Sequence, residues 1–200
     1  MTSHMVDLIS VFARDLNIKG PVLEIGSFIE PVQLDLNLRQ AFPTETYHGV
    51  DVVQGDGVDE IADLRNRVQM LALSAKIKPN VILCLYVLEH VWEIVDATKV
   101  LGAMWKRNPE AWLFVATHQN QPYHGHMNMP DRYDDYWRVT QVGMRRLMDE
   151  AGIAGGRLFL YENPGNPEDV LLIRQPSSAE WPGEKMEESM RTLWAHWEVR

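Results

Sequence analysis

The sequence predicts an α/β fold: a doubly wound, mostly parallel sheet with helices on both faces and an antiparallel C-terminal hairpin. Apolar runs of strand length alternate with segments of helical periodicity through most of the chain. Residues 81–87 form a continuous apolar run, which is typical of a strand covered on both faces. Near the C-terminus, two apolar runs flank a turn sequence at 162–167, which favours a hairpin.

The elements follow one another in a regular order. Predicted strands cover 22–25, 47–53, 81–87, 112–117, 157–161 and 170–174, and predicted helices include 65–77 and 141–151. Helices are also expected before the first strand, where Leu8, Phe12 and Leu16 recur, and around Ala97 to Met104. Residues 32–38 alternate with period two, but their position calls for a helix, and we predict a helix there.

Length and composition indicate one globular domain with an extension. The chain has 200 residues, of which 46% are hydrophobic and 24% charged. We assign residues 1–176 to the domain and 177–200 to an amphipathic helical extension. In the extension Met186, Met190, Leu193 and Trp197 recur at helical spacing. Three roles are open for that helix: it packs on the sheet, it covers the substrate site as a lid, or it forms a homodimer contact.

Charge and cysteine usage restrict the partners and the compartment. A formal net charge of −9 gives no electrostatic footing for nucleic acid or an anionic membrane surface. Cys84 is the only cysteine, and no apolar stretch approaches the roughly 20 residues that span a bilayer. We therefore predict a cytoplasmic protein with a small-molecule substrate.

The turn after the first strand is the first candidate site. Gly26 permits a tight turn that brings the backbone close to a ligand, and Ser27 follows it. The turn lacks the two further glycines of a dinucleotide-binding loop and carries Glu30, so it suits a cationic ligand without phosphate. The alternative is an ordinary strand-to-helix turn.

Two acids follow the next strands: Asp51 ends the second strand, and Asp63 follows a short third strand predicted around Ile61. Asp51 is placed to accept the hydroxyls of an adenosine ribose, or it is a solvated turn aspartate. Asp63 is placed to accept from the adenine amine, or it is the N-cap of the helix that follows.

Four motifs in order resemble the class I S-adenosylmethionine-dependent methyltransferases, in the branch labelled methyltransferase type 11. They are Val22-Leu23-Glu24-Ile25-Gly26-Ser27, Tyr47-His48-Gly49-Val50-Asp51 with Gly55-Asp56-Gly57-Val58-Asp59, Val87-Leu88-Glu89-His90-Val91, and Asp134-Asp135-Tyr136-Trp137-Arg138-Val139-Thr140. The match extends over about residues 20–175. The missing second glycine of the first motif departs from the family pattern.

The resemblance implies a Rossmann-like fold and S-adenosyl-L-methionine as cofactor. It places the methionine end at the turn, the ribose at the second strand, the adenine after the third and the donor pocket at the end of the fourth. The implied cofactor-binding residues are Glu24, Gly26, Ser27, Asp51, Val52, Asp63, Leu64, Leu85 and Tyr86.

Polar and aromatic residues crowd the long loop after the fifth strand, as is common in functional loops, and the resemblance implies that the acceptor binds there. A histidine suits the base that a hydroxyl or ammonium acceptor needs, and His118 or His124 is the candidate. The candidate substrate-binding residues are His90, His126, Tyr136, Trp137 and Arg138. The alternative is that the Asp-Tyr-Trp-Arg run is a structural clasp that ties the loop to the next helix. Glu89 and His90, which follow the fourth strand, either face the site or are structural, and we favour the structural role, with Glu89 capping the start of the helix after them.

A metal site formed by His124, His126 and Asp131 is a further alternative, but we predict no metal. The favoured function is methyl transfer to oxygen or nitrogen of a small molecule such as a sugar, a lipid head group or a specialised metabolite. A non-catalytic cofactor-binding module of the same fold is the second hypothesis. A nicotinamide-dependent oxidoreductase is the third, and the missing glycines count against it.

Overall fold

The computed structural model describes residues 3–29, 37–42, 46–124, 134–153, 155–163, 166–179 and 197–199. The helices are α1 (Ser3–Asp15), α2 (Arg67–Ile77), α3 (Ile94–Arg107) and α4 (Gln141–Ala151). The strands are β1 (Val22–Ile25), β2 (Tyr47–Asp51), β3 (Glu60–Ile61), β4 (Val81–Leu85), β5 (Trp112–His118), β6 (Arg157–Asn163), β7 (Asn166–Arg174) and β8 (Trp197–Val199). In this part of the chain no helix is long and apolar enough to cross a membrane.

The strands form one sheet in the order β3-β2-β1-β4-β5-β7-β6-β8. The first five of these run parallel to one another. Strand β7 is antiparallel to β5, and β6 is antiparallel to both β7 and β8. The chain leaves β1 toward β2 and β3 and later returns to the other side of β1 as β4. The strand order therefore reverses between β1 and β4, at a topological switch point where ligands of such sheets bind.

Two hydrophobic cores cover the sheet. Side chains from α2, α3 and α4 pack on one face together with Leu23 and Ile82. Side chains from α1 and the short 3-10 helix Leu38–Gln40 pack on the other face with Val22 and Leu83. Because alternate residues of β1 and β4 enter opposite cores, both strands are apolar throughout apart from Glu24. The predicted doubly wound sheet with helices on both faces is confirmed.

Most predicted boundaries hold to within a few residues. Helix α4 has the predicted limits, and α2 begins at Arg67 rather than at residue 65. Strands β2 and β4 end two residues early, at Asp51 and Leu85. Tyr86 follows β4 with a φ of 58°, in the left-handed region that cannot continue a strand. The hairpin strands are longer than predicted and leave a shorter turn.

The C-terminal prediction is wrong for Trp197. This residue lies in strand β8, where it pairs with Tyr161 of β6, and not on a helix. Met186, Met190 and Leu193 lie outside the described residues, as do residues 32–36 of the segment expected to be a helix at 32–38. Leu38 itself opens the short 3-10 helix. The division of the chain at residue 176 stays a prediction.

A close contact between α3 and α4 generates a test of the fold. A Cβ on Gly102 would lie 2.2 Å from the carbonyl oxygen of Ala151, which is backbone and cannot move aside cheaply. We expect Gly102→Ala to lower the free energy of unfolding by about 1–3 kcal/mol, as overpacking does. Urea denaturation followed by circular dichroism measures the change.

Gly143, in the first turn of α4, is the matched control. The nearest atoms to a Cβ there lie at 3.4 Å, which is an ordinary contact. Gly143→Ala should raise the stability by roughly 0.5–1 kcal/mol through helix propensity. Equal effects of the two substitutions would contradict the close packing of α3 on α4.

Candidate functional site

The carboxyl ends of the parallel strands β2, β1, β4 and β5 lie at one edge of the sheet. Asp51 ends β2 and His118 ends β5, three strand spacings away. At about 4.8 Å per strand, these two backbone positions are about 14 Å apart across the sheet. Within residues 1–124, most of the site residues predicted from the sequence lie at or just after the carboxyl ends of these strands.

The turn after β1 requires glycine at its first position. Gly26 has a φ of +78°, and a Cβ there would lie 2.2 Å from Cγ2 of Val87. The N–H groups of Gly26 and Ser27 both donate to the carbonyl oxygen of Val50, at 2.9 and 3.1 Å. The hydroxyl of Ser27 is buried and has no hydrogen-bond partner among the described residues. The turn therefore brings backbone from β1 directly against the segment that follows β4.

Asp51 is oriented by the backbone on both of its oxygens. The N–H of Phe28 donates to Oδ2 at 3.2 Å, and the N–H of Val53 donates to Oδ1 at 3.1 Å. Burial raises the pKa of Asp51, and the backbone hydrogen bonds oppose that rise. A carboxylate has about four acceptor positions, and backbone hydrogen bonds from Phe28, Val52 and Val53 leave about one of them for a ligand hydroxyl.

Asp63 is held by its neighbour rather than by a helix. Burial raises its pKa, but hydrogen bonds from Arg65 outweigh this effect and lower the pKa overall. The alternative that Asp63 caps α2 is wrong, because Asn66 is the N-cap and accepts from the N–H of Gln69. Leu64 is buried in the core, whereas Val52 is 43% exposed.

Glu24 is buried beneath the turn and does not face solvent. Its Oε2 accepts a 2.7 Å hydrogen bond from the hydroxyl of Tyr47 on β2. Burial raises the pKa of Glu24 to about 7, although the bond from Tyr47 opposes the rise. Because the side chain contacts β2, it joins two strands below the turn.

A hydrogen-bonded group of three side chains lies where β4 and β5 end and β7 passes. Nδ1 of His118 lies 2.7 Å from Oδ1 of Asp169, and the hydroxyl of Tyr86 donates to Oδ2 at 2.7 Å. The rings of Tyr86 and His118 pack at a centroid distance of 4.4 Å. Asp169 is fully buried. Since the carboxylate accepts from Nδ1, Nε2 is the basic nitrogen of His118.

Asp169 was not among the residues singled out from the sequence. The available signal is an acid, next to Glu168, at the start of the apolar run Asp169-Val170-Leu171-Leu172-Ile173. Its meaning depends on the register of the hairpin, in which Asp169 lies directly opposite His118.

Glu89 does not cap a helix, contrary to the sequence-based alternative. It lies in the 3-10 helix Leu88–His90, with its side chain 0% exposed, and α3 begins only at Ile94. Oε2 of Glu89 accepts from the hydroxyl of Thr117 at 3.0 Å. Oε1 lies 3.8 Å from Nε2 of His118 and has no hydrogen-bond partner in the part of the chain that the structure describes. Burial raises the pKa of Glu89 to about 7.

Two further histidines lie beside Glu89. Ligand atoms of Glu89, His90 and His124 all lie within 4.8 Å of one another. The ring of His124 also lies 4.9 Å from that of His118 and 5.1 Å from that of His90, centroid to centroid. Burial lowers the pKa of His90 to about 4. The structure therefore brings His118 and His124, the two candidate bases, to the same place.

The Asp-Tyr-Trp-Arg run attaches the long loop to the sheet edge. Arg138 forms hydrogen bonds of 2.6 Å with both carboxylate oxygens of Asp135, and it donates to the carbonyl oxygen of Gln121. Burial raises the pKa of Asp135, but hydrogen bonds from Arg138 outweigh it and hold this pKa at about 2. The contacts of Arg138 are those of a clasp.

The aromatic residues of the same run attach through their backbone. The N–H groups of Tyr136 and Trp137 donate to the carbonyl oxygen of Glu89. The indole of Trp137 donates to the carbonyl oxygen of Val91 at 3.0 Å, and the side chain of Tyr136 is 44% exposed beside Trp92. His126 and Asp131 lie outside the described residues.

Comparison with known proteins identifies the fold. The chain matches no protein-family model and no curated protein sequence. The N-terminal domain of EvdMO1, crystallised in the presence of S-adenosylhomocysteine and D-fucose, superimposes with a TM-score of 0.54 at 12% identity, covering 88% of this chain and 84% of that one. An S-adenosylmethionine-dependent methyltransferase from Archaeoglobus fulgidus gives a TM-score of 0.52 at 12% identity, covering 84% and 93%.

The trans-methyltransferase CalH in complex with S-adenosylhomocysteine gives a TM-score of 0.56 at 16% identity. The match covers 84% of this chain and 54% of CalH, so the chain spans about half the length of that protein. At these identities the likeness establishes the fold, which is that of the class I S-adenosylmethionine-dependent methyltransferases.

The burial of Glu24 predicts a pH dependence of stability. The pKa of a glutamate rises from 4.5 to about 7 here, so folding favours the protonated form. The stabilisation is complete below about pH 4.5 and is lost as the pH rises through 7, by on the order of 3 kcal/mol. Glu24→Gln keeps an acceptor for Tyr47 and should remove this part of the pH dependence.

Urea unfolding at pH 5 and pH 8 measures the effect. The stability lost between the two pH values should be smaller in Glu24→Gln than in the unsubstituted chain. Glu150→Gln, at an exposed position of α4, is the control and should leave the loss unaltered. An equal loss in Glu24→Gln and in the unsubstituted chain would show that Glu24 titrates normally.

Proposed function

We propose that this protein transfers the methyl group of S-adenosylmethionine to a hydroxyl or amino group of a small molecule. The observation that carries the proposal is the His118–Asp169 pair, which lies at the same sheet edge as the Gly26 turn and Asp51. The fold supports the cofactor, since EvdMO1 and CalH of the same fold were crystallised with S-adenosylhomocysteine.

The residues at the first two strands fit this cofactor. Gly26 lets the turn after β1 pack directly against Val87, at the switch point between β1 and β4 where ligands of such sheets bind. Backbone N–H groups hold the carboxylate of Asp51 at the end of β2, and it retains an acceptor position for a ribose hydroxyl. When bound, S-adenosylmethionine supplies an electrophilic methyl group on a sulfonium.

His118 acts as the general base. Asp169 accepts from Nδ1 and so holds the tautomer in which Nε2 takes a proton from the acceptor. The acceptor O–H or N–H bond breaks, its electron pair forms the new bond to the methyl carbon, and the S–CH₃ pair remains on sulfur. The products are the methylated acceptor and S-adenosylhomocysteine, and the proton leaves His118 for solvent. Tyr86 fixes Asp169 from the other oxygen.

The acceptor is a small molecule in this proposal. The net charge of −9 disfavours nucleic acid as substrate. A hydroxyl acceptor benefits most from a base, because an alcohol is a weak nucleophile until it loses its proton. Sugars, lipid head groups and specialised metabolites carry such groups, and the EvdMO1 domain was crystallised in the presence of D-fucose.

Calorimetric titration with S-adenosylhomocysteine tests the cofactor site. Binding should occur in the micromolar range and weaken by tenfold or more in Asp51→Ala, which corresponds to about 1.4 kcal/mol or beyond. Asp56→Ala, in the exposed part of the same loop, is the matched control and should bind normally. No binding, or binding of NADH instead, would overturn the proposal.

Turnover tests the base. Release of S-adenosylhomocysteine is measured over a panel of sugar, amine and phenol acceptors. We expect His118→Asn to lower kcat by roughly 10² to 10⁴-fold, with cofactor affinity kept. Asp169→Asn should lower kcat more than it raises KM, because it disturbs the tautomer and not the binding surface.

His48→Asn, at a half-buried position on β2, controls for loss of a histidine and should retain turnover. Cofactor binding without release on any acceptor would instead favour the non-catalytic binding module. Full turnover in His118→Asn would remove the base from the proposal.

A further inference from the structure

We propose that Glu89, His90 and His124 bind a divalent first-row transition metal ion, and that zinc is the ion this site takes. The inference goes beyond the proposed methyl transfer and does not depend on it. The three residues come from two separate segments, the 3-10 helix after β4 and the loop after β5, and the fold brings their ligand atoms within 4.8 Å of one another.

Both histidines present the tautomer that a metal requires. Nδ1 of His90 lies 2.7 Å from the carbonyl oxygen of Asp134 and so must donate to it. Nδ1 of His124 lies 3.1 Å from the carbonyl oxygen of Pro122 and 3.1 Å from Oδ2 of Asp135. In each ring the proton is therefore on Nδ1, and Nε2 is the basic nitrogen. Metal-binding histidines are characteristically held in this way, by a carbonyl or carboxylate on the other nitrogen.

The state of Glu89 is the independent observation that points to a cation. Its side chain is fully buried, and Oε1 has no hydrogen-bond partner within the described ranges. The nearest basic group, Nε2 of His118, is 3.8 Å away, and Nδ1 of that ring carries the proton. A buried carboxylate oxygen that faces basic nitrogens rather than donors is stabilised by a metal ion between them.

The donor set selects the kind of ion. Two imidazole nitrogens and one carboxylate suit zinc, iron or a related ion, whereas magnesium and calcium prefer oxygen ligands. Three protein ligands with a fourth position open to water or substrate is the pattern of catalytic zinc, and a His₂Glu set is among its known forms. The open position would hold an acceptor oxygen beside His118.

The ligands need only a small adjustment. Tetrahedral zinc with bonds of about 2.0–2.1 Å places its ligand atoms roughly 3.4 Å apart. The ligand atoms lie within 4.8 Å of one another, so no separation has to close by more than about 1.4 Å. The side chain of His124 is 36% exposed on its loop, which leaves it room to move toward Glu89 and His90.

These three ligands differ from those of the metal site considered from the sequence, which consists of His124, His126 and Asp131. His126 and Asp131 lie outside the described part of the chain. Glu89 and His90 take their place here. Sequence spacing does not reveal this combination, because 34 residues separate His90 from His124.

Zinc titration of the full-length, untagged chain tests the site. The protein is treated with a chelator, desalted and titrated with zinc chloride by calorimetry in the absence of any cofactor. We expect one zinc per chain. Cobalt substitution should give visible absorption bands of a low-coordinate site, which shows coordination directly and does not depend on enzyme activity.

The variants assign the ligands. His124→Asn and Glu89→Gln should each weaken zinc binding by more than the roughly 10- to 100-fold that loss of an outer hydrogen bond costs. His124 is at the surface, so its substitution leaves folding intact even if Glu89→Gln does not fold. His48→Asn should bind zinc as the unsubstituted chain does, and His118→Asn should remain within about tenfold, because His118 lies beside the ion and is not a ligand.

An unsubstituted chain that binds no zinc, or a His124→Asn variant that binds it normally, would overturn the metal site. A large loss in His118→Asn would overturn the ligand set. Zinc binding together with failure to bind S-adenosylhomocysteine would leave this inference standing and overturn the proposed function. Binding of S-adenosylhomocysteine without zinc binding would overturn the metal site and leave the proposed function standing. The two proposals can therefore be tested separately.

Discussion

The register between β5 and β7 is the constraint on which the site depends. It places His118 directly opposite Asp169, and in an antiparallel pair such residues have Cβ atoms about 4.5–5.5 Å apart on one face of the sheet. The same face carries Ala116 and Leu171 into the core with α1. A slip of one residue would send the two side chains to opposite faces and bury His118 without its carboxylate. The apolar residues of both strands therefore fix the register, and the register creates the pair.

Buried acids are concentrated at this sheet edge, and each is stabilised in a different way. Glu24 accepts from Tyr47, Asp169 accepts from Tyr86 and His118, and Glu89 accepts from Thr117 on only one of its oxygens. Burying a carboxylate is costly unless donors or cations compensate it. Among the described residues, Oε1 of Glu89 is left without a hydrogen-bond donor. This is the reason for proposing that a cation binds at Glu89.

Local pattern was enough to predict the sheet, the helices on both faces and the limits of α4, because apolar periodicity reports burial. It also singled out His118 and His124, whose rings the structure brings together. It did not reveal Asp169 or the position of Glu89 beside His118, since these depend on pairings across 51 and 29 residues. The early end of β4 depends on the left-handed backbone of Tyr86, a conformation unusual for a residue with a side chain. Trp197 fitted a helical period, but its pairing with β6 puts it in a strand.

The long loop after β5 is attached to the sheet edge through backbone atoms of two successive residues. Tyr136 and Trp137 both donate their N–H groups to the carbonyl oxygen of Glu89. These bonds do not depend on which side chains are present, as long as neither residue is proline. The exposed side chain at position 136 can therefore be replaced while the loop after β5 keeps its anchor. Such substitutions leave the hydrogen bond between His118 on β5 and Asp169 on β7 in place.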